Sequence, residues 1–209
     1  SFETESHVRH ARLLDRRAQA GATTAIDHRV DPFRDVTEVT VATPDRQGLF
    51  AAIAGAIAAA GAGIVDARIH TLADGVALDT FWIQDHARHA FGEPRRLDRL
   101  DATIAGVLDG RISLERELAK RRRPTWSTTG PTTGPTTGAT TGATTGATTG
   151  EISVAPRVLI DNDASTKNTV IEVNGRDRPG LLYELTRALA ELRISLVTAR
   201  IATYGDRAV

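Results

Sequence analysis

One feature constrains this chain more than any other: the same pattern occurs twice. Asp45-Arg46-Gln47-Gly48-Leu49 returns as Asp177-Arg178-Pro179-Gly180-Leu181, and Ala67-Arg68-Ile69 returns as Ala199-Arg200-Ile201, both at a gap-free offset of 132 residues. Thr71 and Thr203 follow the same offset. Such self-similarity means two copies of one structural unit. In each copy an apolar run stops at an Asp-Arg-x-Gly turn and a run with helical spacing begins. The turn has a physical use. The first turn of a helix carries unpaired N–H groups and the positive end of the helix dipole. A glycine there has no Cβ, so a ligand can approach the backbone closely.

The first copy reads as strand, helix, strand, strand, helix. Thr37–Thr43 predicts a strand ending at Pro44. Gly48–Ala60 predicts a helix, with Leu49, Ile53, Ala56, Ile57 and Ala60 on one side. Gly61-Ala62-Gly63 ends it, as glycine commonly does at a helix C-terminus. Ile64–Thr71 and Val76–Gln84 predict two strands joined by the hairpin signal Asp74-Gly75. Pro94 opens a helix whose apolar face is Leu97, Leu100, Ile104, Val107 and Leu108. Ile112–Arg123 predicts a further charged helix. Ahead of the unit, Ser1–Ala22 predicts a charged, solvated connecting helix, and Thr23–Arg34, which holds Pro32, a connector. His7 and His10 form an i, i+3 pair with no carboxylate or third histidine at ligand spacing, so no metal site is expected there.

Composition removes several function classes. Lysine plus arginine and aspartate plus glutamate both total 26 in 209 residues, which argues against bulk electrostatic binding of nucleic acid or a membrane surface. With no cysteine there is no disulfide framework and no thiolate zinc site, and a cytoplasmic location fits. Ser1–His7 is polar and does not read as a signal peptide. Ile53–Val65 is too short and too weakly apolar to span a bilayer. The chain lacks an initiating Met and stops at Val209, so a fragment is expected.

Thr128–Gly150 is a four-residue repeat, Thr-Thr-Gly-Pro giving way to Thr-Thr-Gly-Ala. With no large apolar residue it cannot bury a core and is expected to be flexible. Beyond it, Val154, Val158 and Ile160 suggest a strand. Thr169–Asn174, Leu181–Leu192 and Leu196–Thr203 repeat the first strand, helix and second strand. Asp161-x-Asp163 has the spacing of a nucleotidyltransferase metal pair, but it sits at a strand end without an upstream Gly-Ser helix start, so it reads as a turn.

The order of elements resembles the ACT domain, a βαββαβ ligand-sensing module of ferredoxin-like α+β fold. Val39–Phe50 and Ile64–Ile69 resemble the first ACT domain of the PII uridylyltransferase/uridylyl-removing family. Ile160–Asn162, Thr169–Leu181 and Ala199–Val209 resemble its second. The resemblance implies tandem ACT domains, the first complete with a long low-complexity insertion and the second truncated. It divides the chain into a connector at 1–35, the main part of ACT domain 1 at 36–123, the repeat at 124–151, the closing strand of ACT domain 1 at 152–163 (Val154 to Asn162) and ACT domain 2 at 168–209.

The resemblance further implies glutamine as ligand, the PII signal protein as partner through the parent enzyme, and ACT–ACT pairing edge to edge. Nucleic acid and membrane are not expected partners. The nucleotidyltransferase and HD-type phosphohydrolase parts of that family lie upstream, and Mg2+ would belong to them. No cofactor, catalytic residue or metal ligand is expected in this stretch, which has no His-Asp dipeptide. Whether the chain acts as an enzyme stays open. The expected ligand residues are Asp45, Arg46, Gln47, Gly48 and Leu49 in the first copy, and Asp177, Arg178, Gly180 and Leu181 in the second. A ligand carboxylate suits the N–H groups near Gly48 and Gly180. Asp45 or Asp177 would meet an ammonium, although Asp45 reads equally as an N-cap. Arg46 and Arg178 are expected to pair with neighbouring acids, and Asp66 with Arg68. Gly63 stands where the family often has Asn. The alternative reading is a stand-alone ACT-repeat protein that binds amino acids or mediates assembly without catalysis.

Overall fold

A computed structural model describes residues 2–122, 156–176, 180–197, 199, 203–204 and 207–208. The first unit is a four-stranded antiparallel sheet built from β1 (Ala25–Asp31), β2 (Val36–Pro44), β3 (Gly63–Arg68) and β4 (Val76–Gln84), in the order β1-β2-β4-β3. Helix α1 (Phe2–Gln19) precedes it, α2 (Leu49–Ala60) joins β2 to β3, and α3 (Pro94–Leu108) and α4 (Leu114–Arg122) follow β4.

Side-chain alternation sorts the two faces of this sheet. Val39, Val41, Ala77, Phe81 and Ile83 face α2 and α3 and form the core with Ile53, Ile57, Leu100 and Ile104. Ala42 and Leu78 face the other way, onto Leu13 of α1. Helix α1 is therefore not a solvated connector. Leu13 is buried, Arg9 pairs with Asp27 and, at 2.7 Å, with Glu38, and Arg16 reaches Asp27 at 2.9 Å. Burial works to raise the Asp27 pKa, but hydrogen bonds from Arg9 and Arg16 outweigh it and hold the carboxyl below its usual range.

Two expectations are corrected by strand pairing. Thr23–Arg34 is not a connector, because β1 runs through it and pairs with β2 along its whole length, from Ala25 opposite Ala42 to Asp31 opposite Val36. The turn between them is set by Asp31 Oδ1, which accepts the N–H groups of Phe33 and Arg34 at 3.1 Å. The first sheet has its fourth strand in β1, so the expected assignment of Val154–Asn162 as that unit's closing strand does not hold. Strand β5 (Arg157–Asp161) instead pairs with β6 (Val170–Arg176) in a second sheet. β1 and β5 begin 132 residues apart, like the rest of the repeat. The edge strand of each unit precedes its partner in sequence, and the Thr-Thr-Gly segment, which lies outside the described residues, separates the two units in the sequence.

The second sheet has the same order, β5-β6-β8-β7, where β7 is Thr203–Tyr204 and β8 is Arg207–Ala208. The second unit therefore has its edge strand and the start of its third strand, more than the expected truncation left it. Asp161 Oδ1 accepts the N–H groups of Asp163 and Ala164 at 2.8 and 2.9 Å, which makes Asp161-x-Asp163 a turn, as expected.

The two units meet through α2 and α5 (Leu181–Glu191). Gly48 at the start of α2 lies against Ala190 near the end of α5, while Gly55 lies against Tyr183 near its start, so the helices run antiparallel. A Cβ built on Gly55 would stand 2.7 Å from the Tyr183 ring and 2.8 Å from Leu114, so the glycine is what permits this approach. Leu182, Leu196 and Ala199 reach the first unit's core. The expected edge-to-edge pairing would involve residues around 196–203, of which 198 and 200–202 lie outside the described residues.

Candidate functional site

The Asp-Arg-x-Gly turn is built as its sequence requires. Gly48 has φ +77° and Gly180 φ +85°, a conformation that costs side-chain-bearing residues strain. Each is the N-cap of its helix, and neither helix has a side-chain cap. The Gly48 carbonyl receives the Ala52 N–H at 2.9 Å and the Gly180 carbonyl the Glu184 N–H at 3.0 Å, which sets both helices going. Among the described residues no side chain caps the first-turn N–H groups; in α2 the Leu49 N–H donates to the Arg46 carbonyl at 3.1 Å, so the N–H groups beyond it are the ones placed to hold an anion.

Around this turn the expected residues divide. Asp45 is not the N-cap. Its N–H donates to the Gly75 carbonyl at 2.8 Å and its Oδ2 accepts the Thr71 hydroxyl at 3.1 Å, which ties the turn to the β3–β4 connection. Among the described residues Arg46 pairs with no acid; its guanidinium donates to the Leu108 carbonyl at 3.0 Å, at the end of α3. Gln47 Nε2 donates to the Ala190 carbonyl at 2.9 Å, across to the second unit. Leu49 is buried in the core. Asp45, Arg46 and Gln47 are exposed, and Gly48 is half-buried. Gly180 and Leu181 begin α5, while Asp177 and Arg178 lie outside the described residues. The expected Asp66–Arg68 pair gives way to Arg68 stacking over the Trp82 ring, 5.2 Å from its centroid.

Sequence reasoning missed Asp79, which lies near this turn. Burial pushes its carboxyl up to about 7, the Asp45 charge adds to the rise, and a hydrogen bond from the His70 backbone N–H opposes it. The available signal was an acid between Ala77 and Phe81 on the apolar side of a strand. Glu38, 2% exposed and held by Arg9 and Arg29, was missed as well. Among the described residues no group of three or more His, Cys, Asp or Glu is placed to hold a metal ion, and no helix is long and apolar enough to cross a membrane.

Comparison with known proteins gives this geometry a context. The ACT domain family matches residues 167–209. Bifunctional uridylyltransferase/uridylyl-removing enzymes match the whole chain: that of Rhodospirillum rubrum is 44% identical over 209 residues, that of Gluconobacter oxydans 42% over 208, and that of Azospirillum brasilense 44% over 210. In each case the chain covers 20% of the relative's length. No solved structure matches. Over its full length the chain is therefore homologous to a segment that makes up one fifth of the length of bifunctional uridylyltransferase/uridylyl-removing enzymes, and its residues 167–209 match the ACT domain within an α+β, ferredoxin-like fold.

Proposed function

We propose that the chain is the sensing part of a uridylyltransferase/uridylyl-removing enzyme, that its ligand is glutamine, and that binding biases the enzyme between nucleotidyl transfer onto PII signal proteins and the reverse reaction. The observation that carries this reading is the full-length match to those enzymes, together with an ACT domain and two glycine-started helices with uncapped first turns. The ligand carboxylate would rest on the first-turn N–H groups after Gly48 or Gly180. A ligand shifts an equilibrium only by its preference for one arrangement over another. The joint on which such a preference would act is the α2–α5 contact, where Gln47 of one unit's turn bonds the Ala190 carbonyl of the other. Mg2+ and the catalytic groups would belong to the rest of the enzyme, and a cytoplasmic location goes with this role.

A thermal melt of this chain with millimolar L-glutamine, and with L-glutamate as control, tests the sensing claim. Ligand at a hundred times its Kd stabilises the folded state by about 2.7 kcal/mol. A glutamine-specific rise in Tm is expected. A cooperative melt unmoved by glutamine would remove glutamine as the ligand of this stretch.

A further inference from the structure

The row of β4 that faces α2 and α3, with Ala77, Phe81 and Ile83, is apolar except toward the Pro44–Gly48 turn. Asp79 interrupts the row there, between Ala77 and Phe81 and opposite Val41. It is 1% exposed. Its carboxylate accepts the His70 backbone N–H, while Oδ1 accepts no hydrogen bond among the described residues. An oxygen buried this way is costly to keep without a donor.

The place of Asp79 gives that oxygen a use. Phe81 stacks on Phe50 of the first turn of α2, with ring centroids 5.3 Å apart. Asp79 lies one step further along β4 from Phe81, toward the turn that starts α2. Asp45, in that turn, is near enough for its charge to act on Asp79. Buried Thr43 shares a hydrogen bond with Thr24 at 2.9 Å, and Thr71 donates to Asp45. Two carboxylates and three hydroxyls thus gather at the sheet end where a twelve-residue helix begins with no side-chain cap. Acids and an uncapped helix start, side by side, complement a molecule that carries a positive and a negative group one carbon apart.

We propose that Asp79, with Asp45, receives the ammonium group of a zwitterionic amino acid whose carboxylate lies on the first-turn N–H groups of α2. The proposal rests on the amino-acid reading above and deepens it by naming the cation-binding residue. An ammonium has three donors. One satisfies the open Asp79 Oδ1 and another reaches Asp45, replacing or joining the Thr71 hydroxyl. The ligand reaches Asp79 by lifting the exposed Pro44–Gln47 turn, which Asp45 N–H and Gly75, Arg46 and Leu108, and Gln47 and Ala190 hold down. Ligand arrival would therefore also act on the contact between the units.

The test is a calorimetric titration of the full chain and its Asp79→Asn variant with two probes, L-glutamine and 4-carbamoylbutanoate, the same molecule without its α-amino group. The variant is expected to lose about thirtyfold or more in L-glutamine affinity, the scale for removing one partner of a buried charge pair. It is expected to bind 4-carbamoylbutanoate as the unchanged protein does. Equal losses for both probes would make Asp79 a structural residue and overturn the proposal, as would an unchanged L-glutamine affinity in a folded variant. Asp45→Asn, in the exposed turn, gives a second reading with the same probe selectivity and a smaller loss. No heat from L-glutamine with the unchanged protein would instead overturn the amino-acid reading itself, and this proposal with it.

Discussion

Strands β1 and β5 open the two units at equivalent positions, and they sit in different surroundings. Ile26 of β1 packs on the core, His28 meets Asp101 of α3 at 3.4 Å, and Arg9 of α1 grips Asp27. Every residue of β5 is exposed, Val158 at 60% and Ile160 at 67%. Both strands nevertheless pair with their neighbour over their full length. The backbone ladder sets the register; the helices packed around it set the burial. The same holds for the helices that follow. α2 is buried at every position except Ala52, between the sheet, α3, α4 and α5. In α5 only Thr186 is buried, and Arg187 and Ala188 are exposed. The alanines and Gly55 of α2 let neighbours close in on every side, which the charged face of α5 forbids.

The comparison is most sharply tested by equivalent core truncations. Ile53 of α2 is fully buried, while Leu185, its counterpart 132 residues on, is half-buried. Ile53→Ala is expected to cost about 4 kcal/mol and Leu185→Ala about 1 to 2 kcal/mol, because a buried truncation adds a cavity to the lost transfer energy. Chemical denaturation measures both, and equal losses would erase the difference between the units. The next largest effect belongs to Asp79. An ordinary aspartate ionises at 3.8, and burial raises Asp79 to about 7 in the folded chain. Between those values the folded form holds a proton that the unfolded form has released. Stability therefore falls as pH rises through that window and levels off above about 7. The loss is on the order of 4 kcal/mol, and Asp79→Asn should flatten the slope. Among the described residues of the second unit the buried polar side chains are Asn174 and Thr186, which do not titrate there. Hydrogen exchange followed across pH 4 to 7 should thus place the slope in α2 and β4, and not in β6 or α5.

What could be read in the sequence follows from the range of each interaction. β2, β4, α2 and α3 were legible because period-two and period-3.6 patterns are local. Gly48 and Gly180 were legible because a left-handed residue at a helix start calls for glycine. β1 was obscured by Asp27, Arg29, Asp31 and Pro32, although Ile26, His28 and Val30 alternate with them. Assigning Val154–Asn162 to the first unit followed the βαββαβ order, and the repeat itself gives little help there. Ile26 and Val158 match in kind, but His28 meets Ile160 and Asp27 meets Leu159. The site was legible as a turn but not in its partners. Asp45 bonds a residue 26 positions away, Arg46 one 62 away and Gln47 one 143 away. Contacts of that span are set by packing, which leaves no local pattern.

Two smaller predictions probe the contact between the units. In an isolated helix, Gly→Ala stabilises by about 1 kcal/mol. At Gly55 the added methyl would stand 2.7 Å from the Tyr183 ring. Overpacking of this kind costs about 1 to 3 kcal/mol, so Gly55→Ala is expected to destabilise by about 1 kcal/mol net. A stabilised variant would mean that α5 yields to α2 freely. Gln47→Ala tests the same contact at its other end. It removes the hydrogen bond to the Ala190 carbonyl, near the end of α5. An exposed neutral hydrogen bond contributes about 0.5 to 1 kcal/mol, and water can take its place at that carbonyl. The global denaturation midpoint should therefore barely move. Local opening should respond more. Exchange of the last-turn amides of α5, including Leu192, should quicken a few-fold while the core amides of α2 keep their rates. Faster exchange confined to α5 would mean that the Gln47 bond holds the second unit's helix onto the first. Equal acceleration in both helices would mean that they open together, so that α5 is as much a part of the first core as α3 is.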